Sequence, residues 1–183
     1  LIRRLTGTRN LTSSISKLSD LLSEKVKNTN RVIEENLSSE ETPIIGDIAS
    51  HLIKSGGKRI RPLLTLAASK LFDYKGSKDT FLAAAIEYIH SATLLHDDVI
   101  DRSEIRRGLK TANIVWTNKY SVLVGDFLFS RAFQLMVKTQ SLKIMKTLSD
   151  ASAIISQGEI LQLGIERKLN VSQEDYLKVI KNL

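Results

Sequence analysis

Residues 78–101 read KDTFLAAAIEYIHSATLLHDDVID. Phe81, Leu82, Ala85, Tyr88, Ile89, Ala92, Leu95 and Val99 recur at helical spacing over a broad arc, which predicts a long helix packed deep inside a bundle. Ser77 or Asp79 would cap its start. Working outward, Gly76 marks the turn before it, and Asp101 to Lys110 reads as a charged loop containing Gly108. Upstream, Leu11, Ile15, Leu18, Leu22, Val26, Val32 and Ile33 predict a helix over about 11–37. Pro43 opens another, which Gly56 and Gly57 close in the manner of a C-terminal cap, and Pro62 begins a further one over 63–72. Downstream, helices are predicted over about 113–119, 122–138, 142–168 and 172–182. No strand signal of useful strength and no internal repeat is present. The expected fold class is an all-α bundle with short loops: a basic, disordered segment over 1–10 and one helical domain over 11–183.

Composition agrees. The 183 residues are 42% hydrophobic and include only two prolines and nine glycines, which favours helices over a β-sandwich. There is no cysteine, so disulfides and thiolate metal sites are excluded, and a reducing, cytoplasmic compartment is expected. No apolar run approaches the roughly 18 residues that a spanning helix needs, which leaves peripheral membrane contact at most. The formal charge is +7. Its lysines, including Lys25, Lys27, Lys70, Lys75, Lys78, Lys138, Lys143 and Lys146, are scattered among acids, as on a solvated face, so no nucleic-acid surface is expected. Arg3, Arg4, Arg9 and Lys17 stand without an acid in the first nineteen residues; a transit peptide and a disordered basic end both have that look.

The chemistry concentrates at the end of the central helix. Asp97 and Asp101 are four residues apart, so they project from one helical face about 6 Å from each other. Paired carboxylates repel, and a hard divalent cation held by oxygen ligands relieves that repulsion. A solvated helix end beside Arg102 would carry the same acids. Gly56-Gly57-Lys58-Arg59-Ile60-Arg61-Pro62 combines glycines with three cations before a helix N-terminus, as an anion site or an ordinary basic loop would. It is not a P-loop, since Arg59 rather than Ser or Thr follows Lys58. Arg106-Arg107-Gly108 follows the acids, and arginine forks match diphosphate oxygens. His90 lies two turns before Asp97 on almost the same face, as a ligand or as a packed core histidine. Together these groups describe a cavity with one acidic wall and two basic corners, suited to two diphosphates.

The motifs Gly56–Pro62, His90–Asp101 and Arg106–Gly108, with Val122–Phe133 and Gln157–Gln162 in the same order, resemble the trans-polyprenyl diphosphate synthases, nearest to the octaprenyl and other long-chain types. The resemblance covers about residue 43 to the end. It implies an isoprenoid-synthase helical fold and a Mg²⁺-dependent prenyltransferase, with Mn²⁺ as a substitute. Such an enzyme joins isopentenyl diphosphate to an allylic diphosphate and makes a long all-trans chain of the quinone side-chain type. By the same resemblance, Lys58, Arg61, His90 and Arg107 hold isopentenyl diphosphate. Asp97 and Asp101 are metal ligands supported by Asp98, and Arg106 binds the allylic diphosphate. Small residues at Ala92, Thr93 and Ala85 leave room for a long product.

The family continues with a Lys-Thr motif, a phenylalanine-glutamine segment and a second aspartate-rich motif that this sequence does not contain. The chain is therefore expected to be the N-terminal part of such a synthase, nearly inactive alone, and to work as a homodimer or with a complementary C-terminal fragment. A non-catalytic or complementing subunit of the same fold is the alternative. A class I terpene cyclase also uses an aspartate-rich motif, but the Gly56–Arg61 corner suits a second diphosphate and disfavours it.

Overall fold

The computed structural model describes residues 7–57, 59–166 and 168–182, with side chains from residue 14 onward except that of Lys54. The expected disordered start at 1–10 falls in part outside these residues, but helix α1 (Gly7–Leu21) already begins four residues ahead of the predicted helix. The element expected over 11–37 is two helices, α1 and α2 (Ser23–Glu35). They are separated by Leu22, whose φ of −109° and ψ of 14° leave helical geometry while its N–H still reaches the Leu18 carbonyl at 3.2 Å.

Helix α3 (Pro43–Lys54) starts on Pro43, as expected, and ends where Gly56 adopts φ 87° just beyond the Ser55 cap. Helix α4 (Ile60–Leu71) begins earlier than Pro62, because proline is tolerated throughout a first turn whose N–H groups have no helical partner. Arg59, the residue before it, holds the left-handed conformation at φ 44°, ψ 43°.

Helix α5 (Lys78–Ile100) is the predicted central helix. Ala83, Ala84, Ala85, Tyr88, Ala92 and Leu95 are all fully buried. The run of alanines lets α4, α2 and, most extensively, α7 (Asn118–Lys138) approach its backbone. Leu128, Ala132, Leu135 and Met136 fill the α7 side, and burying each large apolar side chain stabilises the fold by roughly 1.5–3 kcal/mol. Two buried hydroxyls beside α5 are matched: Tyr88 donates its hydroxyl to the Ile33 carbonyl, and Ser121 Oγ donates to the Leu95 carbonyl at 2.8 Å. The expected cap at Ser77 or Asp79 does not form. Ser77 makes no side-chain cap bond, and the buried Asp79 carboxylate instead meets Lys25 Nζ and accepts from Ser69 Oγ at 2.8 Å. An ion pair reaching from α2 and a hydroxyl on α4 outcompete the local cap.

The predicted charged loop is a short antiparallel hairpin, β1 (Ile105–Arg106) and β2 (Leu109–Lys110), in the register Ile105↔Lys110 and Arg106↔Leu109. Its two connecting residues, Arg107 and Gly108, have φ of 52° and 83°, the mirror-image turn that matches strand twist. The one-turn helix α6 (Ala112–Val115) leads into α7, which Thr117 caps.

Residues from Gln140 onward form a second compact unit. Ser141 caps α8 (Leu142–Ile165) and Ser172 caps α9 (Gln173–Ile180). A Cβ on the buried Gly158 would lie 2.7 Å from the Asn182 carbonyl oxygen, so the glycine is what lets the end of α9 close on α8. Among the described residues, no helix is long and apolar enough to cross a membrane.

Candidate diphosphate and cation site

Two elements flank the second half of α5. The turn 55–61 approaches from one side and the hairpin from the other. The hairpin is firmly docked, because His51 on α3 donates Nε2–H to the Lys110 carbonyl at 2.7 Å and packs edge-on against Trp116 at 5.2 Å. At the base of the hairpin, the Ser103 N–H reaches the Asp98 carbonyl at 2.9 Å, and Thr111 Oγ1 and Asn113 Nδ2 donate to the Ser103 carbonyl at 2.6 and 3.2 Å.

Between turn, helix and hairpin lies an open cleft of about 580 Å³ lined by Ser55, Gly56, Gly57, Arg59, Ile60, Arg61, Glu87, His90 and Arg107. Of the anion-binding residues expected from sequence, it brings together Arg61, His90 and Arg107; Lys58 lies outside the described residues. A Cβ on Gly57 would fall 2.8 Å from Arg107 Nη1, so the glycine leaves the space that the guanidinium fills. Arg59 reaches the other way as well, donating Nη1–H to Asn30 Oδ1 on α2. Burial, followed by the fields of Arg61, Arg107 and Arg106, lowers the His90 pKa to about 4, so the ring is neutral near pH 7 and offers one N–H. Burial raises the Glu87 pKa above the usual carboxylate value, against the opposing influence of Arg59, Arg61 and Arg107.

Glu87 and Asn30 are absent from the sequence-based site. Glu87 stands three residues before His90 and so shares its face, a signal the sequence carried. Nothing local marked Asn30, which arrives from a helix 29 residues away in sequence.

Beyond the cleft, the acids divide. Asp98 is fully buried and accepts from Arg106, whose Nε lies 3.0 and 3.1 Å from its two oxygens and whose Nη2 lies 2.8 Å from Oδ1. That hydrogen bonding, with the Asp98 charge and those of Asp97 and Asp101, keeps Arg106 more firmly protonated than an ordinary arginine. Asp97 is half-buried and Asp101 exposed, and the Asp101 N–H bonds the Asp97 carbonyl at 2.8 Å, so unbroken helix holds them one turn apart. Among the described residues, no group of three or more acids or histidines could hold a metal ion alone. The donor set nonetheless fits a magnesium-type cation: two hard carboxylates, with remaining positions left to water and substrate oxygens. His96, between the acids and α7, donates Nε2–H to the Val122 carbonyl at 3.2 Å and lies 3.4 Å from Asp126 Oδ1. A Cβ on Gly125 would collide with its ring.

Of the residues expected to set product length, Ala85 and Ala92 are fully buried. Thr93 is half-buried and donates Oγ1–H to the His90 carbonyl at 2.9 Å.

Residues 42–183 match the sequence profile of the polyprenyl synthetase family. The octaprenyl diphosphate synthase of Escherichia coli K12 is 41% identical over 167 residues, which are 91% of this chain and 51% of that enzyme. Among solved structures, a decaprenyl diphosphate synthase from Rhodobacter capsulatus superposes with a TM-score of 0.88 at 49% identity, covering 92% of this chain and 52% of that one. A polyprenyl synthase from Caulobacter crescentus CB15, complexed with calcium and isoprenyl diphosphate, gives 0.89 at 45% identity, with 98% and 53% covered. The chain spans about half the length of the curated relatives it matches.

Proposed function

The chain belongs to the polyprenyl synthetase family, and on that premise we propose that it carries the isopentenyl diphosphate corner and the first acidic wall of a long-chain trans-polyprenyl diphosphate synthase. The observation that carries this reading is the convergence of Arg61, His90 and Arg107 in one cleft, beside a hairpin whose first strand holds Arg106 locked to the acidic motif.

In this reading Arg61 and Arg107 clamp the diphosphate of isopentenyl diphosphate, and neutral His90 donates an N–H to it. Arg106 and the Asp97–Asp101 face orient the allylic diphosphate. Its carbon–oxygen bond breaks with the electron pair leaving on the diphosphate. The isopentenyl double bond then attacks the allylic carbon, and a proton is lost from the neighbouring carbon. Bound Mg²⁺ or Mn²⁺ would neutralise charge on the departing diphosphate, held by Asp97 and Asp101. Arg106, charged and fixed by Asp98, offers its remaining N–H groups to the same anion. Thr93, half-buried on α5, keeps the path for the growing chain free of bulk, and the fully buried Ala92 and Ala85 on the same helix add none. The protein supplies positioning and electrostatics rather than a nucleophile.

The test is a transfer assay with labelled isopentenyl diphosphate, an allylic primer and Mg²⁺. Because the relatives are about twice as long, it is run on the chain alone and on the chain mixed with the C-terminal half of a relative. We propose negligible transfer alone and labelled polyprenyl product from the mixture. Product from neither sample, with the mixture shown to associate, would sink the enzymatic reading and favour a non-catalytic subunit.

A further inference from the structure

The basic cleft contains a carboxylate that an anion site does not obviously want. Glu87 sits on the α5 face that carries His90 and lines the same cleft as Arg59 and Arg61 from the start of α4 and Arg107 from the hairpin. Among the described residues, no ion pair fastens its carboxylate to any of the three guanidiniums; they act on it through space. Arg59 turns its Nη1 away, to Asn30. The acid is therefore held in a partly desolvated position facing the space a phosphate would occupy.

We propose that Glu87 enters the diphosphate complex as the neutral carboxylic acid and donates its O–H to a phosphate oxygen, one proton being taken up at this side chain for each diphosphate bound. The inference rests on the reading of the cleft as a diphosphate site. A carboxylate left ionised beside a bound phosphate would meet an unscreened like charge. At about 4 Å and an effective dielectric of about 20, that repulsion shifts the protonation equilibrium by roughly a thousandfold per unit charge. Diphosphate also occupies the guanidiniums whose field alone favours the ionised form in the empty cleft. Burial already tilts the side chain toward the acid form, so binding has only to remove the opposing influence. His90, the remaining titratable neighbour, is neutral there and takes no part in the exchange as proton source.

Protonation turns a repelling group into a donor. The cleft then offers guanidinium N–H groups, an imidazole N–H and a carboxyl O–H, all pointing at acceptors only, which suits a fully ionised diphosphate.

Inorganic diphosphate without metal is the probe, titrated into the 183-residue chain bearing ¹³C-labelled glutamate carboxyls. Glu87→Gln, which keeps the shape and a donor but cannot titrate, assigns the resonance. At pH 7 to 8 the Glu87 signal should move from the carboxylate to the carboxylic-acid position as the cleft saturates. The affinity of the wild-type chain should fall with rising pH by about one decade per unit more steeply than that of Glu87→Gln. Near pH 6 the two affinities should agree within about threefold, and above pH 8 the variant should bind more tightly. A Glu87 signal that stays at the carboxylate position in the saturated complex, or equal pH slopes, overturns the inference. Absence of any diphosphate-induced shift in the cleft overturns instead the reading on which it rests.

Discussion

Arg106 holds Asp98 through both carboxylate oxygens at 2.8 to 3.1 Å, so the middle acid of the motif serves a guanidinium, and the proposed cation site falls to its neighbours Asp97 and Asp101. The three acids therefore differ in kind. Removing Asp98 strands a charged Arg106 that is only 26% exposed, and Asp98→Ala should destabilise the fold by about 3 kcal/mol, read from urea denaturation. Asp97→Ala and Asp101→Ala should each lower Mg²⁺-dependent transfer in the reconstituted enzyme by on the order of 10³-fold.

Gly125→Ala should be expensive for so small a change. Its methyl group would meet the His96 ring, and overpacking of this sort costs roughly 1–3 kcal/mol. His96→Ala in the same chain should recover most of the loss, because the clash needs both partners. A double-mutant cycle by denaturation reads the coupling directly, and additive losses would contradict the contact.

Acid should act on the two titrating groups of the cleft with opposite sign. The folded pKa of His90 is depressed to about 4, so its contribution is present above about 6.5 and is lost as the pH falls toward 4. The folded pKa of Glu87 is raised, so its contribution is present below the ordinary carboxylate value and is lost as the pH rises through the raised one. Urea midpoints measured from pH 4 to 8 should thus fall less steeply on acidification in His90→Gln than in wild type. Glu87→Gln should gain stability relative to wild type toward neutral pH.

Asn30→Ala releases the Arg59 guanidinium from α2. A hydrogen bond to a charged group contributes about 1.5–3 kcal/mol, and its loss should weaken diphosphate binding to the cleft by about tenfold with little change in helix content. Calorimetry on the chain and on the variant makes the comparison.

Bulk beside the proposed path of the growing chain should shorten products. Thr93→Phe in the reconstituted enzyme should shift chromatographed products to fewer isoprene units. Ala92→Phe should do the same only at a stability cost of about 1–3 kcal/mol, because Ala92 has no free surface to grow into. Unchanged products from both variants would remove these positions from length control.

Much of this architecture is legible in the sequence, and the exceptions share a physical cause. Helix α5 announces itself because its apolar residues encircle most of its surface, and Pro43 and Gly56 mark α3 because each acts through its own backbone. The hairpin does not announce itself, since strands of two residues are too short to show a period of two. The break at Leu22 leaves the hydrophobic spacing intact on both sides, so only the backbone reveals it. Asp79 reads as a cap because the sequence cannot show Lys25 waiting 54 residues away. The cleft was legible as Arg61, His90 and Arg107, whereas Asn30 and the His96–Gly125 contact depend on which helices become neighbours.

The hairpin also acts as a caliper. Arg106 and Arg107 are consecutive, yet one faces the acids through Asp98 and the other faces the cleft beside Gly57. Arg106 ends the extended β1 whereas Arg107 enters the turn at φ 52°, so the change of backbone across a single peptide unit sends two neighbouring arginines to different sides. If each grips one anion, the distance between the two reacting molecules is gauged by the covalent spacing of adjacent residues rather than by side-chain choice. Inserting one residue between them would leave every functional group present and put the two substrates out of reach of each other.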